Sequence, residues 1–370
     1  MFTRNLFEMA LNIVEPWYIK DIQFSAEEKR LDIHVDFRKG SLFHYESAQE
    51  NIGGDFKAYD SVIKEWRHLN FFEHECVLHA RVPRLDIDGS TKRLLDVPWA
   101  GLCNGFTMLF EALILQLAKH MPVHTVAKIV GESDYKIWSM LENYVNKALG
   151  ENDYSDLKLV GMDETSRRKG HDYRTLFVDL LKKRTVFIAP GKDHETVRSF
   201  ALDLKAHQGN PEAITDVSCD MSPAFIKGVA QNLPNAKITF DRKREQLSMS
   251  KLNLKSIKAL HIRESFQIIY KAATPQRFAC KLKEWYFWAT HSRIRPIIAA
   301  ARTIRAHWQG VLQWKNSLLS NGLLEGLNSL IQAAKAKARG FTTLRYFRII
   351  AFLITGHLDF SKFNKHYRPT

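Results

Sequence analysis

The sequence predicts an α/β core that carries an all-helical insertion, preceded by a small β-rich module and a pair of packed helices. Three observations lead there. Residues 157–241 alternate strand-like and helix-like runs, and residues 250–356 hold helical periodicity with no strand run. Residues 1–98 carry short segments that alternate apolar and polar positions. A chain of 370 residues has room for two or three such domains.

In the N-terminal module, residues 31–37 and 76–82 alternate as half-buried strands do, and Pro83 and Pro98 punctuate its end. Residues 99–150 read as helical. The run 106–120 is one apolar-periodic helix, and a tight pair follows around Gly131-Glu-Ser. Within 122–138, Ala127 is small enough for close helix crossing and Gly131 supplies the turn. Ile137 packs back into the angle and Ser133 caps the second helix. This is the internal logic of a helix-turn-helix whose recognition helix spans 134–148, with Tyr135, Lys136 and Ser139 facing the major groove. Many helical pairs with Ala and Gly have no DNA role, so the motif by itself leaves both readings open.

The core block, 151–356, begins with strands over 157–163, 173–180 and 184–190. A helix over 193–207, a strand over 213–220, a helix over 223–232 and a strand over 237–241 follow. The helical insertion spans about 245–318, and 357–370 forms a tail.

Charge is distributed unevenly. The net is +14, but residues 242–370 hold 24 Lys and Arg against 5 Asp and Glu, a net of +19, while the rest of the chain is slightly acidic. Interleaved with Trp285, Phe287, Trp288, Trp308 and Trp314, this basic third points to a polyphosphate partner. A membrane is the weaker reading, because the apolar run 349–355 is too short to span a bilayer. Residues 1–16 lack a signal-peptide pattern, so a cytoplasmic protein is expected. Cys76, Cys103, Cys219 and Cys280 are far apart and read as reduced thiols.

Glu325 is the only carboxylate between Glu284 and Asp359. It belongs to a polar stripe of Asn321, Glu325, Asn328, Gln332, Lys335 and Arg339, spaced by three and four residues along one helix face. Leu323, Leu324, Leu327, Leu330, Ile331 and Ala334 line the opposite face and are expected to pack on a core. Upstream, the strand 157–163 ends at Asp163 and the strand 213–220 ends at Asp220. Acids at the ends of neighbouring strands, with a third on a later helix, are the layout of a ribonuclease-H-like core. Three convergent carboxylates would repel unless divalent cations bridge them, and hard oxygen ligands favour two Mg²⁺ or Mn²⁺ ions. Asp216 and Asp241 are rival strand-end acids that are assigned structural roles.

The runs Gly161-Met-Asp-Glu-Thr-Ser, Lys169-Gly-His-Asp-Tyr, Asp220-Met-Ser-Pro-Ala-Phe and Asn321-Gly-Leu-Leu-Glu-Gly-Leu-Asn-Ser resemble the DDE transposases of the bacterial ISL-three insertion-sequence family. Trp66-Arg-His-Leu, Val82-Pro-Arg and Val97-Pro-Trp-Ala look like that family's N-terminal region, and Lys335-Ala-Lys-Ala-Arg-Gly-Phe like the basic run after its catalytic glutamate. The resemblance implies Asp163, Asp220 and Glu325 as the catalytic, metal-binding triad. Lys169, Lys335, Lys337 and Arg339 would join the recognition helix in contacting DNA. It also implies double-stranded DNA partners, namely the element's terminal inverted repeats and a target, with a homo-oligomer assembled on DNA near the nucleoid.

The chain departs from the family pattern twice. The N-terminal module is a degenerate zinc ribbon: Cys76 and His74 cannot complete a four-ligand site, so no zinc is expected. The segment after Asp241 is also short, which fits either a natural subgroup or a copy that no longer transposes. Three readings compete. They are a transposase that cleaves element ends and transfers strands, a non-catalytic DNA-binding repressor, and a metal-dependent nuclease of the same fold.

Overall fold

The computed structural model describes residues 2–47, 51–103, 105–166, 173–240, 257–317 and 322–368. The chain forms two compact units, Met1–Ala148 with Asp359–Thr370, and Leu149–Leu358.

The first unit starts with helix α1 (Phe2–Leu11) and the strands β1 (Trp17–Ser25), β2 (Arg30–Phe37), β3 (Leu42–Ser47), β4 (Ile52–Phe71), β5 (His74–Asp86) and β6 (Lys92–Leu94). They make one sheet in the order β1-β2-β5-β4-β3, with β6 paired to β5. The β2 and β5 strands run parallel, while β4 and β5 form an antiparallel hairpin. Alternation buries Leu31, Ile33 and Val35 of β2 beside Cys76, Leu78 and Ala80 of β5. Trp17 and Trp66 meet Trp99 edge-on in the same core. Helices α2 (Met108–His120), α3 (Val123–Val130) and α4 (Asp134–Gly150) complete the unit. Arg67, buried at the end of β4, ties sheet to helices. Its backbone pairs with Gly105 and Thr107, and its guanidinium donates to the carbonyl of Val130 at the end of α3.

Of the tail expected at 357–370, Asp359–Thr370 groups with this unit. Phe360 is fully buried edge-on to Tyr144, and Asn364 donates to the carbonyl of Met108 (2.8 Å) and to Tyr144 Oη (3.0 Å).

The second unit holds a five-stranded sheet of β7 (Leu159–Ser166), β8 (Tyr173–Asp179), β9 (Arg184–Pro190), β10 (Asp216–Cys219) and β11 (Lys237–Phe240), in the order β11-β10-β7-β8-β9. The β7, β8 and β9 strands form an antiparallel meander, and β10 and β11 join it in parallel. Helices α5 (His194–Ala206) and α6 (Pro223–Asn232) cover one face. Asp193 caps α5 by accepting from the amide of Glu195. Among the described residues four helices follow: α7 (Ile257–Ile269), α8 (Pro275–Thr290), α9 (Arg295–Ala306) and α10 (Trp308–Ser317). Their own core is built on Phe266, Phe278, Trp285 and Ile297. Helix α10 docks on edge strand β11, where Gly310 leaves room for the Phe240 ring, and α11 (Gly322–Lys337) and α12 (Leu344–Thr355) return to the sheet.

Two expectations need correction. The strand expected over 213–220 is confined to Asp216–Cys219, because Asn210 caps a short 3-10 turn over Pro211–Ala213 that uses up its start. Leu330, expected on the core face of α11, is half-exposed, while Leu324, Leu327 and Ile331 are buried. The buried stripe of α11 is thus narrower than the apolar stripe in its sequence.

Candidate active site and nucleic-acid interface

The parallel ladder of β7 and β10 sets the geometry. Ser218 pairs with Gly161, so continuing that register by two residues brings Asp220 beside Asp163 at one end of the sheet. Side chains alternate along a strand, so the two aspartates share the face of Gly161 and Ser218. The other face carries Val160, Met162, Val217 and Cys219, buried with Phe200 and Phe225 of α5 and α6.

Helix α11 covers the aspartate face. A Cβ at Gly161 would lie 2.7 Å from a Leu324 methyl, so the helix can come this close only over glycine. Leu324 and Leu327 pack on Val178 of β8, the residue paired with Gly161. Burying each leucine contributes roughly 1.5–3 kcal/mol to holding the helix there. The polar stripe then faces the strand. Asn328 Nδ2 donates to Asp163 Oδ2 at 3.1 Å, and Gln332 donates to Thr165 Oγ1. The second Asp163 oxygen accepts the amide of Glu164 at 2.8 Å. Glu325 lies one turn before Asn328 and is half-buried, as is Asp163, whereas Asp220 is buried.

Asp216 stands at the opposite end of β10 from Asp220 and accepts from Gln313 of α10 at 3.1 Å, a bond that ties the insertion to the sheet. Asp241 and Lys169 lie outside the described residues.

Three carboxylates on β7, just past β10 and on α11 are a hard-oxygen donor set, suited by chemistry to a divalent cation. Among the described residues no group of three His, Cys, Asp or Glu is gathered closely enough to hold a metal ion.

The helix-turn-helix follows its sequence logic. Ala127 and Ile137 are both buried, and Gly131 takes the left-handed conformation (φ 73°) that the turn requires. Ser133 Oγ accepts from the amide of Lys136 at 3.4 Å. Tyr135 is 73% exposed, Lys136 is exposed with its ammonium on Glu132, and Ser139 is half-exposed. At the end of α11, Lys337 and Arg339 are exposed. Lys335 is half-buried, and burial holds its ammonium below the usual lysine range. Sequence reasoning missed Glu111, a buried carboxylate in α2 whose only signal is one acid in an otherwise apolar run.

Comparison with known proteins decides the class. A model of the ISL3-family DDE transposase matches residues 160–243 and 242–351, and one described as the helix-turn-helix domain of transposase family ISL3 matches residues 95–145. The chain belongs to the ISL3 transposase family. It is similar to the transposase for insertion sequence element IS1001 of Bordetella parapertussis, 23% identical over 343 residues that cover 79% of this chain and 84% of the relative. It is also similar to the transposase for element IS1557 of Mycobacterium tuberculosis, 26% identical over 240 residues that cover 62% of this chain and 52% of the relative. This chain is thus a transposase of an insertion sequence, from a family of DNA-cleaving and strand-transferring enzymes, and carries that family's helix-turn-helix domain. The family's chemistry uses divalent metal ions. Among the described residues no helix is long and apolar enough to cross a membrane.

Proposed function

We propose that the second unit is a ribonuclease-H-like catalytic domain in which Asp163, Asp220 and Glu325 hold two Mg²⁺ or Mn²⁺ ions for cleavage and strand transfer at the element's ends. The observation that carries this reading is the β7–β10 register, which sets the two aspartates side by side on the face that α11 covers with its only acid. The strand order, a three-stranded antiparallel meander extended by two parallel strands, supports the fold assignment.

Cations held there by Asp163, Asp220 and Glu325 would supply Lewis-acid activation of water or a DNA 3′-hydroxyl and charge stabilisation for the leaving oxygen. The protein supplies the rest. Asp163 and Asp220 hold the cations from the rigid sheet, and Glu325 closes the site from the helix. Tyr135, Lys136 and Ser139 read the terminal repeats of double-stranded DNA, while Lys335, Lys337 and Arg339 hold the phosphate backbone beside the carboxylates. Lys169 stands in the motif that follows Asp163 and is assigned the same phosphate-binding role. Cutting two element ends together calls for a homo-oligomer on DNA, at the nucleoid of a bacterial cytoplasm.

The test is nicking of DNA carrying the element's ends, measured with Mg²⁺ for the parent chain and for Glu325→Gln, Asp163→Asn and Asp220→Asn. Each variant should lose cleavage to background, by 10³-fold or more as an order of magnitude, while still binding DNA, and the losses should not add. Asp216→Asn should retain cleavage, because Asp216 bonds to Gln313 at the far end of the strand. An active parent whose Glu325→Gln variant cuts normally would overturn the assignment. A parent chain that binds the ends and cuts nothing would favour a repressor.

A further inference from the structure

We propose that Asn328 is a positioning residue for the metal-binding carboxylates, fixing the spatial relation of Asp163 on β7 to Glu325 on α11. The inference rests on the site reading above and adds a residue to it.

Helix and strand are matched in pitch. Asn328 and Gln332 are four residues apart on α11, about 6 Å of helix rise, and their partners Asp163 and Thr165 are two residues apart on β7, about 6.7 Å of strand. Two amides therefore lock α11 alongside β7 in one register. Sliding the helix by a residue would break both bonds and turn Glu325 off the strand. Gln332 serves the distal contact on buried Thr165, whereas Asn328 serves the carboxylate itself.

The chemistry of the side chain suits the role. An amide N–H orients the Asp163 carboxylate without neutralising it, whereas an ammonium in the same place would compete with a cation. With Glu164 N–H on the other oxygen, both Asp163 oxygens are aimed. The reverse amide orientation would set Oδ1 against a carboxylate oxygen and is excluded by repulsion. Oδ1 therefore points away from Asp163, and among the described residues it is buried with no hydrogen-bond donor. It is a neutral hard oxygen beside the aspartate, which a divalent cation or a cation-bound water would satisfy.

The experiment measures Mn²⁺ binding to the full chain without DNA, by electron paramagnetic resonance, for the parent, Asn328→Ala, Asn328→Leu and Asp163→Asn. The leucine variant keeps the branching and heavy-atom count of the side chain without its polar atoms, and circular dichroism with a thermal melt checks that each variant is folded. Both Asn328 variants should bind Mn²⁺ roughly 10–100-fold more weakly, as loss of a residue that orients a ligand does. Cleavage by Asn328→Leu should recover at high Mn²⁺, and cleavage by Glu325→Gln should not. Parental Mn²⁺ affinity in both folded Asn328 variants, alongside its loss in Asp163→Asn, would overturn this proposal alone. Parental affinity in Asp163→Asn as well would overturn the site reading and this proposal with it.

Discussion

Glu111 shows how a single buried acid can make a DNA-binding unit sensitive to pH. Its carboxylate accepts from the amides of Leu102 (2.8 Å) and Cys103 (2.9 Å) and from Tyr144 Oη (2.7 Å), and a Cβ at Gly101 would strike it. Burial outweighs these donors and pushes its pKa up to about 7. The folded value lies above the unfolded one near 4.5, so the folded state binds the extra proton more tightly. The stabilisation is fully present below pH 4.5 and lost as pH rises through 7, a change of at most about 3 kcal/mol. The melting temperature of the first unit should therefore fall across that window, and Glu111→Gln should flatten the slope. Calorimetry at several pH values checks it, and an unchanged slope in the variant would count against the assignment.

At the scale of elements, β5 bears on the expectation that the N-terminal module holds no zinc. Cys76 points into the sheet core between Leu78 and the β2 aliphatics, and burial pushes its thiol up to about 12. Zinc binds the thiolate, which this site opposes. His74 lies against the ring of Phe24 instead. Purified protein should contain no stoichiometric zinc, and a chelator should leave its melting temperature unchanged. Elemental analysis finding one tightly held zinc per chain would refute this.

Much of this level was legible in the sequence. Helix α6 and strand β9 are legible at these ends, because Pro223 is a local helix start signal and Pro190 a strand stop. The phase of α11 was legible too, since three- and four-residue spacing alone separates its polar stripe from Leu324 and Leu327. The 20-residue β4 was not read, because Gly53 and Gly54 interrupt its alternation and exposed Tyr59 and Ile63 blur it. The amide contacts of Asn328 and Gln332 were visible only as polar positions, since nothing local names a partner more than 160 residues away.

At the scale of the whole molecule, the missed feature is connectivity. The second unit is inserted between α4 and the segment that carries Phe360, Asn364 and Tyr367. No periodicity signals a contact such as Asn364 with Met108, because the two are 256 residues apart. Tyr367 is buried, its ring lies against Phe360, and its hydroxyl accepts from Lys119 of α2.

That insertion ties the stability of the helix-turn-helix unit to the sheet of the second unit through chain entropy. Seating Phe360 and Asn364 on α2 and α4 closes a loop of the 210 residues Leu149–Leu358. If that loop were unfolded, closure would cost about 5 kcal/mol, whereas a folded insert has already lost this freedom. Destabilising the sheet should therefore loosen helices it need not touch. Phe177→Ala, which removes a fully buried ring stacked on Phe200, should speed amide hydrogen exchange in α2 and α4. Parental exchange in those helices, in a variant whose sheet is measurably weakened, would show that the two units fold independently.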